Sequence, residues 1–170
     1  FHVCLLPTLY LDLLQSRAVA RQMADCAVRA LNNALTALDH NTPELAQSIR
    51  DDEELCDHYE DILGTYLVKL STQKMGRDES EEATELLKTI GDFERISDHA
   101  VNILSSAEEM EQKGLTFSGS ALNELAILTS AIREILSLSL KSFSSQDVAL
   151  AQQVEPLEQV IDTLKEQMRT

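Results

Sequence analysis

IGDFERISDHAVNIL, residues 90–104, reads as part of a long helix and carries Glu94 and Asp98 four residues apart. Four residues advance a helix by about 6 Å and turn it only about 40° beyond one revolution, so both carboxylates lie on one face. Like charges at this spacing cost a helix about 0.2–0.5 kcal/mol. The stretch therefore predicts a helix with an acidic face.

The same Glu-xxx-Asp spacing occurs twice more, as Glu53/Asp57 and Glu158/Asp162, and both pairs also lie in segments that read as helix. Repeating an unfavourable pair at related positions suggests that something cationic lies against these faces. A face that is simply solvated is the alternative interpretation. Carboxylate-only clusters suit hard cations such as Mg²⁺, Mn²⁺ and Ca²⁺ or oxidised iron, whereas zinc usually takes His or Cys.

An internal repeat relates the two halves of the chain by a shift of 105 residues. ALTALDHNTPELAQSIRDDEELCD then aligns with SLKSFSSQDVALAQQVEPLEQVID, including the consecutive identities of Leu45-Ala46-Gln47 with Leu150-Ala151-Gln152. Glu53 falls on Glu158 and Asp57 on Asp162, so the acidic pair belongs to the repeat. The repeat favours tandem units of similar structure.

The spacing of the apolar residues, together with helix start and stop signals between the segments, predicts five long helical stretches. Thr42 and Pro43 form an N-terminal signal, Asp78 with Glu81 resembles a capping box, and Gly114 is a stop signal. The predicted stretches are about 16–37, 43–73 and 78–112, one from Ser118 or Ser120 to about 142, and one from SSQD (144–147) to 170. Short connections between long helices predict an all-α, elongated antiparallel helical bundle.

Tandem three-helix repeats are the predicted domain organisation. Residues 15–114 form the first repeat and residues 115–170 a partial second repeat, whose third helix we expect to follow Thr170. Residues 1–14 are apolar, interrupted by Pro7 and lack an initiator Met, so we interpret them as a junction to an upstream segment. An unfinished repeat would expose apolar surface, which favours a homodimer.

The charge, the cysteine content and the absence of certain motifs limit which kinds of ligand and partner the chain can bind. Fourteen Lys and Arg against 29 Asp and Glu give a net charge of −15, which repels nucleic acid and attracts cations or basic surfaces. Three cysteines (Cys4, Cys26 and Cys56) without a CxxC pair predict neither a disulfide framework nor a thiolate zinc site. No Gly-rich loop or basic cluster is present to bind phosphate, so a direct small-molecule substrate is not expected.

The ERIxDxAxNI pattern at residues 94–103, the tandem three-helix architecture and the repeated acidic pairs together resemble the PhoU-like phosphate-uptake regulators. Two branches are relevant: a free-standing cytoplasmic regulator and the C-terminal PhoU-like domain of sodium-dependent phosphate cotransporters. The apolar residues 1–14 favour the second branch. The resemblance implies a regulatory domain, not an enzyme, at the cytoplasmic face of the cell membrane, which acts on a membrane phosphate transporter in cis or in trans.

The resemblance also implies that the acidic pairs hold metal clusters, with iron, zinc or another divalent metal as the cofactor. The candidate ligands are Glu53, Asp57, Glu94 and Asp98 in the first repeat and Glu158 and Asp162 in the second. The second site should be incomplete because its partner helix is missing. Pro156 should also kink the fifth helix and displace Glu158.

Neighbouring polar residues receive weaker assignments. His58 and His99 each follow a motif Asp by one position, about 100° round the helix, which favours surface histidines over metal ligands. Asn102 is either a neutral ligand or a polar residue between helices. Arg95 is expected to form a helical ion pair with Asp92 or Asp98.

Two other function classes remain. A helical scaffold or dimerisation domain without metal is the alternative. A di-iron carboxylate enzyme is less favoured because it needs Glu-x-x-His on two helices, and this chain has no such motif.

Overall fold

The computed structural model describes residues 6–168, with side chains from residue 9 onward, and Cys4 therefore lies outside the described residues. Within that range the chain forms helices joined by short turns, without any strand, which confirms the predicted all-α class. The helices are α1 (Leu6–Ala37), α2 (Pro43–Ser71), α3 (Arg77–Lys113), α4 (Gly119–Ser145), α5 (Val148–Ala151) and α6 (Val154–Met168). Across residues 6–168, none of these helices has an apolar stretch sufficient to cross a bilayer.

Helices α1, α2 and α3 form a bundle in which each helix contacts the other two. Large side chains such as Leu13, Met23, Leu67 and Ile90 fill one half of its core. The other half is rich in small residues, among them Ala30, Ala34 and Ala100, which let the helices approach closely.

Helices α4, α5 and α6 form a second, thinner unit that contacts the bundle through α4, which lies against α1 and reaches α3 with Phe143. Arg133 donates to Asn32 Oδ1 at 3.1 Å and to Thr36 Oγ1 at 2.9 Å, and Phe143 packs edge-on against Phe93 with 5.2 Å between ring centroids. From residue 119 to 168, Leu136 is the single buried residue. This unit therefore has little core of its own.

Several helix ends agree with the sequence prediction. The Thr42 hydroxyl accepts a hydrogen bond from Leu45 N–H at 3.1 Å, and Pro43 occupies the first position of α2. Gly114 ends α3 in the left-handed conformation (φ 63°). The N-cap of α4 is Ser118, one of the two predicted starts, although α4 continues to Ser145 rather than Ser142.

Two predicted helix starts are wrong. Helix α1 begins at Leu6 rather than about Ser16, since Pro7 is tolerated in a first turn and Leu13 is buried in the core. Helix α3 begins after Gly76 without a side-chain cap, so the capping box is absent. Glu81, the residue expected to close that box, instead accepts a hydrogen bond from Arg77 Nε at 2.8 Å.

The predicted fifth helix is broken into α5 and α6. The predicted kink at Pro156 is therefore wrong in position, because the helix ends at Ala151 and restarts at Val154. Pro156 lies in the first turn of α6, where its missing N–H leaves the Gln152 carbonyl without a helical donor. The N-caps Thr42 and Asp147 are 105 residues apart, the interval of the sequence repeat.

Candidate functional site

The acidic faces of α2 and α3 meet beside the core of the three-helix bundle. Cys56 on α2 and Ser97 on α3 are buried, so the residues next to them on each helix lie at the edge of the interface. Glu53 and Glu94 are half-buried at this edge, and Asp57 and Asp98 are exposed just outside it. The four carboxylates predicted from the first repeat therefore lie on adjoining faces.

The pKa values of Glu53 and Glu94 are both raised, by burial and by the charges of neighbouring carboxylates. Burial is the largest cause of the raised pKa of Glu53, followed by the charges of Asp57 and Asp98. Burial likewise raises the pKa of Glu94, with further increases from the charges of Asp98, Glu60 and Asp57 and from a hydrogen bond to Asp98. Carboxylates of two different helices thus destabilise each other's charged forms.

Glu60 is a fifth member of this acidic surface that the sequence analysis missed. It is half-buried on α2, three residues after Asp57 and therefore on the same helix face. Its charge contributes to the raised pKa of Glu94 on α3. The signal that could have found it is this helical spacing, since Glu53, Asp57 and Glu60 follow one line along α2.

At Asp52, the residue before Glu53, an ion pair that the sequence did not predict joins α1 to α2. Arg29 Nε lies 2.9 Å from Asp52 Oδ2 and Arg29 Nη2 lies 2.5 Å from Asp52 Oδ1, so the guanidinium binds both carboxylate oxygens. The Asp52 side chain is 8% exposed and that of Arg29 is 53% exposed. The hydrogen bond to Asp52 is the main cause of the raised pKa of Arg29. This pair fixes the register of α1 against the acidic face.

Two buried thiols lie next to this ion pair. Cys56 Sγ donates to the Met23 carbonyl at 3.7 Å, and burial raises the pKa of Cys56 to about 12. Burial also raises the pKa of Cys26, whose Sγ accepts from Arg29 Nη2 at 3.5 Å. Protonated buried thiols are poor metal ligands and nucleophiles, so they have a structural role.

The second-repeat pair has a different environment. Glu158 and Asp162 are exposed on α6, which contacts α4 and α5 but no helix of the three-helix bundle in the described chain. Asp162 Oδ1 accepts from Lys165 Nζ at 2.9 Å. The structure therefore does not bring this pair to the other four carboxylates.

The neighbouring polar residues are all at the surface. His58, His99 and Asn102 are exposed, and His58 borders a shallow depression with Asp57, Glu60 and Asp61.

Arg95 Nη1 lies 3.7 Å from Asp92 Oδ1, so the two residues form an ion pair. Asp92 is one of the two partners predicted for Arg95.

The arrangement of the carboxylates bears on the predicted metal binding. Among residues 9–168, no group of three or more His, Cys, Asp and Glu side chains is arranged to hold a metal ion. The carboxylates of α2 and α3 repel one another without forming a closed ligand set. The described residues as placed thus form no closed metal site, and metal binding stays a prediction.

Comparison with known proteins gives one family match and one relative. The family model described as "PhoU domain" matches residues 20–107, which hold most of α1, all of α2 and most of α3. A protein of Borreliella burgdorferi (strain ATCC 35210 / DSM 4680 / CIP 102532 / B31), named phosphate-specific transport system accessory protein PhoU homolog, is 25% identical over 149 residues. The alignment covers 84% of this chain and 66% of the relative, slightly under two thirds of its length. No solved structure matches the chain.

Proposed function

Because the chain belongs to the PhoU family, we propose that it is a regulatory module that controls phosphate uptake by contact with a transport protein. The observation that carries this proposal is the position of the family match, which spans the acidic surface of α2 and α3. The printed name of the Borreliella burgdorferi relative, an accessory protein of phosphate transport, supports the same role. The module itself performs no catalysis in this proposal.

Physical features of the described residues support action by contact. The acidic surface is open and faces solvent, and its charges are not neutralised by neighbouring helices. Such a surface attracts basic patches on another protein and increases the rate of encounter.

The transporter and the location complete the proposal. We propose a sodium-dependent phosphate cotransporter as the partner, with this module attached to it or bound to it, at the cytoplasmic face of the cell membrane. An antibody against this chain distinguishes the two arrangements in a membrane fraction. A band that stays with the membranes after a wash at high pH indicates attachment, whereas release into the wash indicates a separate protein.

The test of function is phosphate uptake in cells that lack the gene and are complemented with the complete gene or left without it. We expect uptake and its response to phosphate limitation to change on deletion and to return on complementation. Unchanged uptake in both phosphate-rich and phosphate-poor medium would contradict the proposal.

A metal-free scaffold or dimerisation domain is the second candidate, favoured by the absence of a closed ligand set in the described residues. Replacement of Glu53, Asp57, Glu94 and Asp98 by Gln and Asn separates the two candidates. Full regulation by this variant indicates a scaffold, and loss of regulation in a folded variant indicates that the acidic surface acts.

A further inference from the structure

A second apolar line runs along α2, apart from the line that faces the core. It comprises Leu55, Tyr59, Ile62 and Tyr66, here called the α2 stripe, at successive spacings of four, three and four residues. Leu55, Ile62 and Tyr66 are 37%, 55% and 39% exposed, and Tyr59 is half-buried. Residues at this spacing share one face of a helix, here over about 16 Å. Within the described residues, Leu55, Ile62 and Tyr66 thus keep much of their surface open to solvent.

The α2 stripe borders α1 at Tyr59. Tyr59 Oη donates to Gln22 Oε1 at 3.2 Å. Burial is the main cause of the raised pKa of Tyr66, with a hydrogen bond to Asp12 and the charge of Asp12 as further causes. The two tyrosines are therefore held in place by α1 while their rings remain accessible, and such rigid rings suit recognition because binding costs them little entropy.

Carboxylates lie beside the stripe. Asp12 contacts Tyr66 from α1, Asp51 lies one turn before Leu55, and Glu54 precedes Leu55 directly. None of these three forms an ion pair with another described residue, although Asp51 accepts a hydrogen bond from Gln47 Nε2 at 2.8 Å. Lys69 continues the line three residues beyond Tyr66. The stripe is thus apolar along its centre and acidic at its Leu55 end.

We propose that the α2 stripe binds an amphipathic helix of a partner protein whose apolar ridge is flanked by Lys and Arg. An apolar line with three exposed anchors matches the i, i+3/i+4, i+7 contacts of helix-in-groove recognition. The acidic residues complement basic flanks, and Lys69 orients the basic end of the partner helix towards Leu55. An anionic bilayer is a poorer occupant because the same carboxylates repel its headgroups. The inference rests on the proposed function for the existence of a protein partner, and it adds the surface and the chemistry of that partner.

The test titrates the full chain into a fluorescent helical peptide with Leu on one face and Lys on both flanks. A peptide with Glu in place of Lys and vesicles of phosphatidylglycerol are the comparison ligands. We expect the Lys peptide to bind and the Glu peptide and the vesicles not to bind. Binding should weaken with added salt because the charges involved are exposed.

Two matched variants locate the binding surface. Ile62 and Val68 are both 55% exposed on α2, but Val68 lies on the opposite flank of the helix from the α2 stripe. Ile62→Ser should raise Kd about tenfold or more, as loss of a central anchor does, whereas Val68→Ser should leave Kd unchanged. Leu55→Ser is a second stripe variant, and circular dichroism of all three checks that the exposed substitutions leave the fold intact.

Several outcomes overturn the inference: no binding of the Lys peptide, equal effects of Ile62→Ser and Val68→Ser, equal binding of the Glu peptide, or binding to vesicles alone. The peptide assay is independent of phosphate uptake, so its failure leaves the proposed function standing. Complementation with Ile62→Ser, compared with Val68→Ser, then shows whether regulation uses the same surface.

Discussion

Glu53 and Glu94 lie where burial and neighbouring negative charge both oppose ionisation. A carboxyl whose pKa is raised on folding contributes stability at pH values below its ordinary value of 4.5, and that contribution is lost as the pH rises through the raised value. The acidic surface therefore lowers the stability of the folded state at neutral pH.

Removing this repulsion should stabilise the protein at neutral pH. We expect Glu94→Gln/Asp98→Asn to raise the free energy of unfolding by about 0.5 kcal/mol at pH 7, with a smaller gain near pH 4.5 where Glu94 takes up a proton. Urea unfolding at the two pH values measures this difference. The matched control is Glu158→Gln/Asp162→Asn on α6, which also removes the ion pair of Asp162 with Lys165 and should therefore show a smaller gain. A loss of stability in the α3 variant would mean that the carboxylates are held by favourable contacts.

Metal content of the purified protein tests the predicted clusters with the same variants. The predicted clusters require stoichiometric iron, zinc or manganese in the unaltered protein, its loss in Glu94→Gln/Asp98→Asn and its retention in Glu158→Gln/Asp162→Asn. Mass spectrometry after reconstitution gives the answer. Absence of metal from all three proteins would leave a solvated acidic surface.

The ion pair of Arg29 with Asp52 should respond unequally to loss of its two members. Arg29→Met leaves a buried carboxylate without a partner and should cost about 3 kcal/mol at pH 7. Asp52→Asn leaves a guanidinium that is already half-exposed and should cost about 1 kcal/mol. Urea unfolding measures both, and Arg50→Met, which breaks the more exposed pair with Glu108, should cost less than about 1 kcal/mol. Equal costs for Arg29→Met and Asp52→Asn would refute the burial argument.

Residues of the candidate site were predicted from sequence where helical spacing alone decides position. The four-residue spacing placed Glu53 and Asp57 on one face of α2. It likewise placed Glu94 and Asp98 on one face of α3. It did not distinguish Asp52 within the acidic run of α2, although Asp52 lies on the same line as the buried Ile49 and Cys56. Its partner Arg29 belongs to another helix, and no local pattern encodes a contact between helices.

Helix ends depend on the backbone conformation of single residues. Two glycines, one inside α3 and one at its end, should therefore respond oppositely to replacement by alanine. Gly91 lies inside the helix and Gly114 ends it with φ 63°, and a methyl group at either would meet no atom within 4 Å. Gly91→Ala should stabilise the protein by about 1 kcal/mol through a smaller loss of chain entropy. Gly114→Ala should destabilise it by about 1 kcal/mol because alanine resists the left-handed conformation. Thermal unfolding compares them, and shifts of the same sign would contradict the assignment of the α3 end.

Pro156 should be the cause of the break between α5 and α6. Pro156→Ala restores an N–H that can bond the Gln152 carbonyl, so we expect α5 and α6 to join into one helix through residues 152–153. Backbone chemical shifts of these residues report the change. Pro43→Ala is the matched control, since the first position of a helix needs no N–H donor and the start of α2 should not move. Persistence of the break in Pro156→Ala would assign it to the packing of α5 on α4.

The elements show which sequence signals are reliable. Thr42, Ser118 and Gly114 act through hydrogen bonds and φ angles within one turn, and they were read correctly. The capping box at Asp78 and Glu81 failed because Glu81 pairs with Arg77. The start of α1 was placed too late because the burial of Leu9 and Leu13 depends on α2 and α3, which the local sequence does not specify.

The molecule as a whole has a well-packed part and a thinly packed part. Helices α1 to α3 contain nearly all of the buried side chains, and α4 to α6 contain only Leu136 within residues 119–168. We expect backbone amides of α4 and α6 to exchange with solvent about tenfold or more faster than those of the bundle, because few buried contacts oppose local opening. Hydrogen exchange followed by mass spectrometry measures this. Arg133→Ala should increase exchange in α4 but not in α2, and uniform protection of both parts would contradict the division.

The division of the core also determines the order in which the polypeptide acquires structure during translation. All contacts of the bundle lie between residues that precede α4, so the nascent chain forms them without any residue of α4 to α6. Ribosomes add about 5–20 residues per second, whereas helices form within microseconds and domains fold as units during synthesis. The bundle thus serves as a finished template on which α4 docks through Arg133 and Phe143, and the nascent chain exposes its largest apolar surfaces only briefly.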